Sequence, residues 1–197
     1  MLEDGLRLTS AYPPIPQVAR DPLVAARSIQ QFSLMAVYLR VRLTQLVVRH
    51  TTLIHLAERV LSAVGESRSE LSLELIGDGR MRRLNREYRK KDRPTDVLAF
   101  PIREAVMPRG VRPVTQMLGD VVISLPTAVR QAKEAGRSID DELAMLLVHG
   151  VLHLCGYDHE RNRRQAARMS RRERALLHLI SPVPRMVTFH TRQTRGR

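Results

Sequence analysis

The stretch HGVLHLCGYDHE, residues 149–160, places three histidines within eleven residues. It ends a longer segment, SIDDELAMLLVHGVLHLCG (138–156), which opens with a Ser/Asp cap and an acidic first turn and then becomes apolar. That pattern predicts a helix buried along much of its length. His149 and His153 are four residues apart on it, so both side chains project from one face, one turn apart, close enough to share an ion. Gly156 lets the chain leave the helix with a positive φ, and the turn through Tyr157 and Asp158 can bring His159 back toward the pair. A single histidine on an apolar helix is usually a satisfied core residue, and two at this spacing are often accidental. Three, with a helix-breaking glycine before the last, point to a metal. Three neutral imidazoles with one open position is the pattern of catalytic zinc. Cys155 adjoins the pair but points elsewhere on the helix and reads as a small buried hydrophobe. His50, His55, His178 and His190 are isolated.

A buried helix needs a sheet or further helices to cover it. Upstream, AVYLRVRL (36–43) alternates, with Val37, Leu39, Val41 and Leu43 on one face, and predicts a strand. TTLIHLAERVLSAVG (51–65) has helical spacing and a closing glycine; ELSLELIG (70–77) alternates again. DGRMRRLNREYRKKD (78–92) reads as a basic helix, TDVLAFPI (95–102) as a short strand, 103–117 as a Pro/Gly-containing loop and LGDVVISL (118–125) as a fourth strand. PTAVRQAKEAG (126–136) is a helix with proline in its first turn, and 161–180 is a last, strongly basic helix. Strands interleaved with helices imply one α+β domain over residues 35–180. Residues 1–34, with SAYPPIPQVARDP, read as a flexible leader; Met35, just before the first strand, is a candidate initiator. Residues 181–197 read as a basic disordered tail.

The formal net charge is +13. It is spread as zero over residues 1–34 (three basic, three acidic), +9 over 35–180 (26 basic, 17 acidic) and +4 over 181–197 (four arginines). Such an excess favours a polyanionic partner through counterion release. Aromatic residues make up only 4% of the chain, so nucleic-acid binding is expected to lean on charge more than on stacking. One cysteine excludes an intrachain disulfide and fits the cytoplasm. Arg40 and Arg42 interrupt the apolar run 31–48, which argues against a membrane span.

The stretch at 149–160 resembles the H-G-x-x-H-x-x-G-Y-D-H signature of the YbeY family of bacterial rRNA maturation factors, described as metal-dependent endoribonucleases. LNREYRKKDRPTDVLAFP (84–101) is similar to a second block of that family, with Ala99 where serine is usual, and LGDVVIS (118–124) to the strand between them. The resemblance covers about 35–180. It implies an α+β fold, a small mixed four-stranded sheet flanked by helices, of the zincin-like metal-dependent hydrolase type. It implies that His149, His153 and His159 ligate one zinc ion per chain and that Arg89 is functionally important. The implied activity is cleavage of single-stranded RNA, in late maturation of the 3′ end of small-subunit rRNA and in ribosome quality control. Implied partners are rRNA and the small ribosomal subunit, with a ribosomal protein or a ribosome-assembly GTPase as further candidates, and no membrane.

A metal held by three histidines acidifies water and polarises a phosphoryl oxygen, and an arginine can clamp phosphate in a bidentate fork. Lys90, Lys91 and Arg93 would follow the RNA backbone. Arg80, Arg82, Arg83 and Arg86 read individually as a solvated helix face. A general base is not evident. Zinc peptidases of the H-E-x-x-H kind carry glutamate directly after the first histidine, and here that residue is Gly150. Asp158 either orients a histidine or closes the turn; Asp96 reads as structural and Glu160 as exposed. The 2′-hydroxyl of RNA and an activated water both remain as nucleophile. A rival reading is a non-catalytic assembly factor in which metal shapes the fold and the basic surface binds rRNA or a ribosomal protein.

Overall fold

The computed structural model describes residues 36–43, 46–102 and 116–189. The expected leader, most of the expected loop after residue 102 and the last eight residues lie outside them. The described elements are β1 (Ala36–Val41), β2 (Leu46–Val48), α1 (His50–Val64), β3 (Ser69–Ile76), α2 (Asp78–Arg89), β4 (Val97–Pro101), β5 (Gln116–Ser124), α3 (Leu125–Glu134), α4 (Ile139–Leu154), α5 (Arg163–Ile180) and β6 (Val187–Phe189).

Four strands form a mixed sheet in the order β1-β3-β5-β4. The first three are parallel, and β4 runs antiparallel to β5 at one edge. The alternation read in the sequence decides which face each strand buries. Leu71, Leu73 and Leu75 of β3 and Val121 and Ile123 of β5 enter the main core with residues of α1, α3, α4 and α5. Ile76, Leu98 and Val122 point to the other face, where Met81 of α2 covers them. Glu74 is buried on β3 beside Arg42, 2.6 Å away, and Arg80, 3.5 Å away.

The helix ends follow the predicted signals. Gly65 closes α1 at φ +93°. Ser138 caps α4 by accepting the Asp141 N–H at 3.0 Å. α4 is buried through Leu143, Ala144, Leu147, Val148, Val151 and Leu152, as its apolar run requires. None of the described helices is long and apolar enough to cross a membrane.

One expectation needs correction. Residues 181–189 do not belong to a disordered tail: β6 pairs antiparallel with β2. Met186 and Val187 are buried, and their N–H groups donate to Asp140 Oδ1 at 2.7 and 2.9 Å. Two apolar side chains and a carboxylate in the first turn of α4 supply the burial and polar satisfaction that order this segment. Three-residue strands carry no readable period, which is why β2 and β6 both escape the sequence pattern.

Candidate metal centre and cleft

The site is built on the C-terminal end of α4. This helix lies unusually close to the sheet because residue 150 is glycine: a Cβ there would stand 2.7 Å from Val121 Cγ1 and 3.1 Å from Cγ2. The missing side chain lets the helix backbone settle against β5, with His149 and His153 projecting beside the contact. The same closeness explains why no glutamate follows His149, since there is no space for one.

His149 and His153 present their Nε2 atoms 3.1 Å apart. Gly156, at φ +83°, then turns the chain out of the helix, with its own N–H donating to His153 O and that of Tyr157 to Leu152 O. In the turn that follows, Asp158 Oδ1 accepts the Glu160 N–H at 2.8 Å. Asp158 therefore closes the loop that returns His159. One ring nitrogen from each of His149, His153 and His159 lies within 4.8 Å of the others. A tetrahedral ion with metal–nitrogen bonds of about 2.1 Å needs donors roughly 3.4 Å apart, so small side-chain rotations suffice to hold a metal.

Protonation favours the same use. His149 Nδ1 is 3.2 Å from Glu173 Oε1 on α5. A carboxylate only accepts, so Nδ1 carries the proton and Nε2 offers its lone pair. Burial, followed by the neighbouring His149 and His159, lowers the pKa of His153 and so favours its neutral form. Cys155 packs against the core, and burial pushes its thiol up to about 11; it is not part of the donor set.

Arg89 ends α2 and reaches the histidine loop. Its Nη2 donates to Glu160 Oε1 at 2.5 Å, directly after His159 in sequence. Arg89, Lys91, the three histidines and Glu173 all line one open cleft of about 1290 Å³, together with residues of β4. Lys90 turns away to donate to Glu87 O. Arg82 and Arg86 pair with Asp92 on the exposed helix face, as the sequence predicts, whereas Arg80 departs from that expectation: half-buried, it reaches in to the buried carboxylate of Glu74. Asn85 ties the following loop to α2 by donating to Arg93 O at 2.7 Å.

Asp96 is structural. Its Oδ1 accepts from Val97 N and Thr95 Oγ1, and its Oδ2 from Gln131 Nε2. Burial alone would raise its carboxyl, yet these bonds outweigh burial and hold it below the usual range. Three acids of the cleft, Glu134, Glu142 and Glu173, carry no reading from the sequence. Glu142 is buried on α4, 2.5 Å from Arg137; burial nonetheless raises its carboxyl, with the charge of Asp96 adding to the effect. Glu173 had a visible signal, for it is the only acid between residues 161 and 180.

Residues 40–181 match the family model described as Endoribonuclease YbeY. Among curated relatives of that name, the protein of Geobacter metallireducens is 48% identical over 125 residues, 63% of this chain and 81% of the relative. That of Aquifex aeolicus is 46% identical over 125 residues, 64% of this chain and 79% of the relative. That of Myxococcus xanthus is 56% identical over 108 residues, which cover 55% of this chain but only 35% of the relative. A solution structure from Thermotoga maritima shares the fold, with a TM-score of 0.50 at 23% identity over 73% of this chain and 88% of that one. With the matched region spanning β3, β4 and β5, α2 and the whole histidine loop, the chain belongs to the Endoribonuclease YbeY family.

Proposed function

We propose that this protein is a zinc-dependent endoribonuclease of the zincin-like type that cuts single-stranded RNA in the cytoplasm. Its roles would be late maturation of the 3′ end of small-subunit rRNA and ribosome quality control, with a ribosomal protein or an assembly GTPase as companion. His149, His153 and His159 hold one zinc ion per chain, and Arg89 is the catalytic arginine. The observation that carries this reading is the meeting of three imidazole donors with the Arg89 guanidinium in one cleft. The net charge of +13 and the exposed arginines of α5, among them Arg164, Arg168 and Arg171, suit a polyanion.

Zinc bound there supplies Lewis-acid polarisation of the scissile phosphodiester. The protein's own residues do the rest. Glu173 holds the His149 ring by its Nδ1–H. Arg89 exchanges the Glu160 carboxylate for two phosphate oxygens, a geometry its planar fork matches, and stabilises charge developing on them. Lys91 attracts the adjoining phosphate.

A second reading, a non-catalytic metal-stabilised assembly factor, draws support from the carboxylates. Asp158 is engaged by a backbone N–H, Glu160 by Arg89 and Glu173 by His149, which leaves none of the three uncommitted as a general base. One experiment separates the readings: cleavage of a short single-stranded RNA by metal-quantified wild type, His153→Ala and Arg89→Ala, with a chelator control. Endonuclease action requires cleavage to disappear with chelator and in both variants while Arg89→Ala stays folded and metallated. Cleavage that persists in both variants would point to a contaminant and favour the assembly factor.

A further inference from the structure

Tyr88 and Phe100 form an aromatic pair on the wall of the same cleft, with ring centroids 4.9 Å apart and planes at 66°. Phe100 comes from β4, the edge strand, and packs with Leu98 toward α2. Tyr88 comes from α2 and precedes Arg89. It is 42% exposed, although a tyrosine at that register could have been a charged residue like its neighbours. Edge-to-face contact occupies at most one face of each ring, so the arrangement braces the pair without closing it. Scattered exposed aromatics mean little. This one stands beside Arg89 and Lys91 in an open cleft that leads to the histidines.

We propose that Tyr88, braced by Phe100, is a stacking platform for one nucleobase of the RNA strand, next to the phosphate that Arg89 clamps. The inference rests on the endoribonuclease reading and deepens it. Cations that track phosphates combined with an aromatic face for a base are what single-strand binders use, and stacking of this kind tolerates every base. It also gives single-strand selectivity a physical origin. In a duplex the base faces are already occupied by their neighbours, and the bases become available to an aromatic ring only where the strand is unpaired. A chain poor in aromatic residues thus places two of them where stacking can act.

The test is single-turnover cleavage of a single-stranded RNA by the full-length, metal-loaded protein, reading separately the half-saturating protein concentration and the maximal rate. Tyr88→Ala should raise the half-saturating concentration about tenfold, the scale of one base–aromatic stack, with the maximal rate and metal content retained and the melting temperature lowered only by the loss of its contact with Phe100. Tyr88→Phe should restore wild-type behaviour. An abasic nucleotide scanned along the RNA should reproduce the loss at one position, and that position should cost Tyr88→Ala nothing further. Wild-type cleavage with the half-saturating concentration unmoved by Tyr88→Ala, or by every abasic position, would overturn the platform alone. A wild-type protein that neither binds nor cuts RNA would overturn the endoribonuclease reading and the platform with it.

Discussion

Gly150 and Val121 touch where α4 crosses β5, and a single methyl group on Gly150 would fall 2.7 Å from a valine methyl carbon. This contact sets the height of the histidine pair above the sheet. Gly150→Ala should regain up to about 1 kcal/mol of helix propensity and lose about 1–3 kcal/mol to overpacking. The expected net result is a lower denaturation midpoint, with a larger drop for Gly150→Glu. A midpoint raised by the alanine would show that Val121 moves aside freely.

Glu173→Gln keeps the size of the side chain and weakens its hold on His149. Supporting partners of this kind affect metal affinity by about 10–100-fold. Competition against a chelator of known affinity should report a loss in that range with the melting curve of the metal-loaded protein little changed. Wild-type affinity in the variant would remove Glu173 from the site.

The Arg89–Glu160 pair is exposed on both sides, at 37% and 56% of the side-chain surface, so its intrinsic worth is small. It nonetheless competes with phosphate for the same guanidinium. Glu160→Gln should lower the half-saturating protein concentration for RNA about two- to fivefold. Arg89, through its hydrogen bond and then its charge, holds the Glu160 carboxyl below the usual range. The competing anion therefore persists across neutral pH, and the gain in the variant should be the same at pH 6 and pH 8. An affinity unchanged by the substitution would mean that phosphate binds elsewhere.

Asp78 starts α2 and fastens it to the β5–α3 junction, accepting from Ser124 Oγ at 2.5 Å, Thr127 Oγ1 at 2.7 Å and Arg130 Nη1 at 2.8 Å. Burial favours the neutral acid, but these bonds prevail and lower its pKa. A depressed carboxylate stabilises the fold above its unfolded pKa of about 4 and loses that contribution as pH falls through the folded value. Asp78→Asn should destabilise the protein at pH 7 by about 1–3 kcal/mol. The difference from wild type should shrink below about pH 4, as equilibrium unfolding across pH would register. A difference that stays constant into acid would show that the bonds, and not the charge, carry the effect.

Much of this architecture is local and therefore readable. The long helices and the strands of the main sheet announce themselves by period and punctuation, and His149, His153 and Gly156 lie within eight consecutive residues whose geometry one helix end dictates. What escaped is tertiary. Glu173 becomes a partner of His149 only after α5 folds back over α4, and Glu142 is an acid whose burial depends on Arg137 and the neighbouring strand end. Asp158 is open between turn and ligand support in the sequence because one loop accommodates both; the structure shows the turn bond, to the Glu160 N–H, and also lets the carboxylate's charge act on His153. Gly150 was legible as the absence of a catalytic glutamate, but the steric reason belongs to Val121, distant in sequence.

The pairing of β6 with β2 has a consequence for the order in which the molecule can be completed. Each strand of the main sheet and the histidine helix are synthesised before residue 187, yet the first turn of that helix receives its Met186 and Val187 N–H groups only from the segment made afterwards. During translation the domain can therefore assemble its sheet while the carboxylate of Asp140 still faces water. Closure of this last, longest loop, from β2 to β6, is the slowest kind of contact to form. A shortened chain that stops at residue 181, where the family match ends, would keep His149, His153 and His159 and remain held at that unfinished stage.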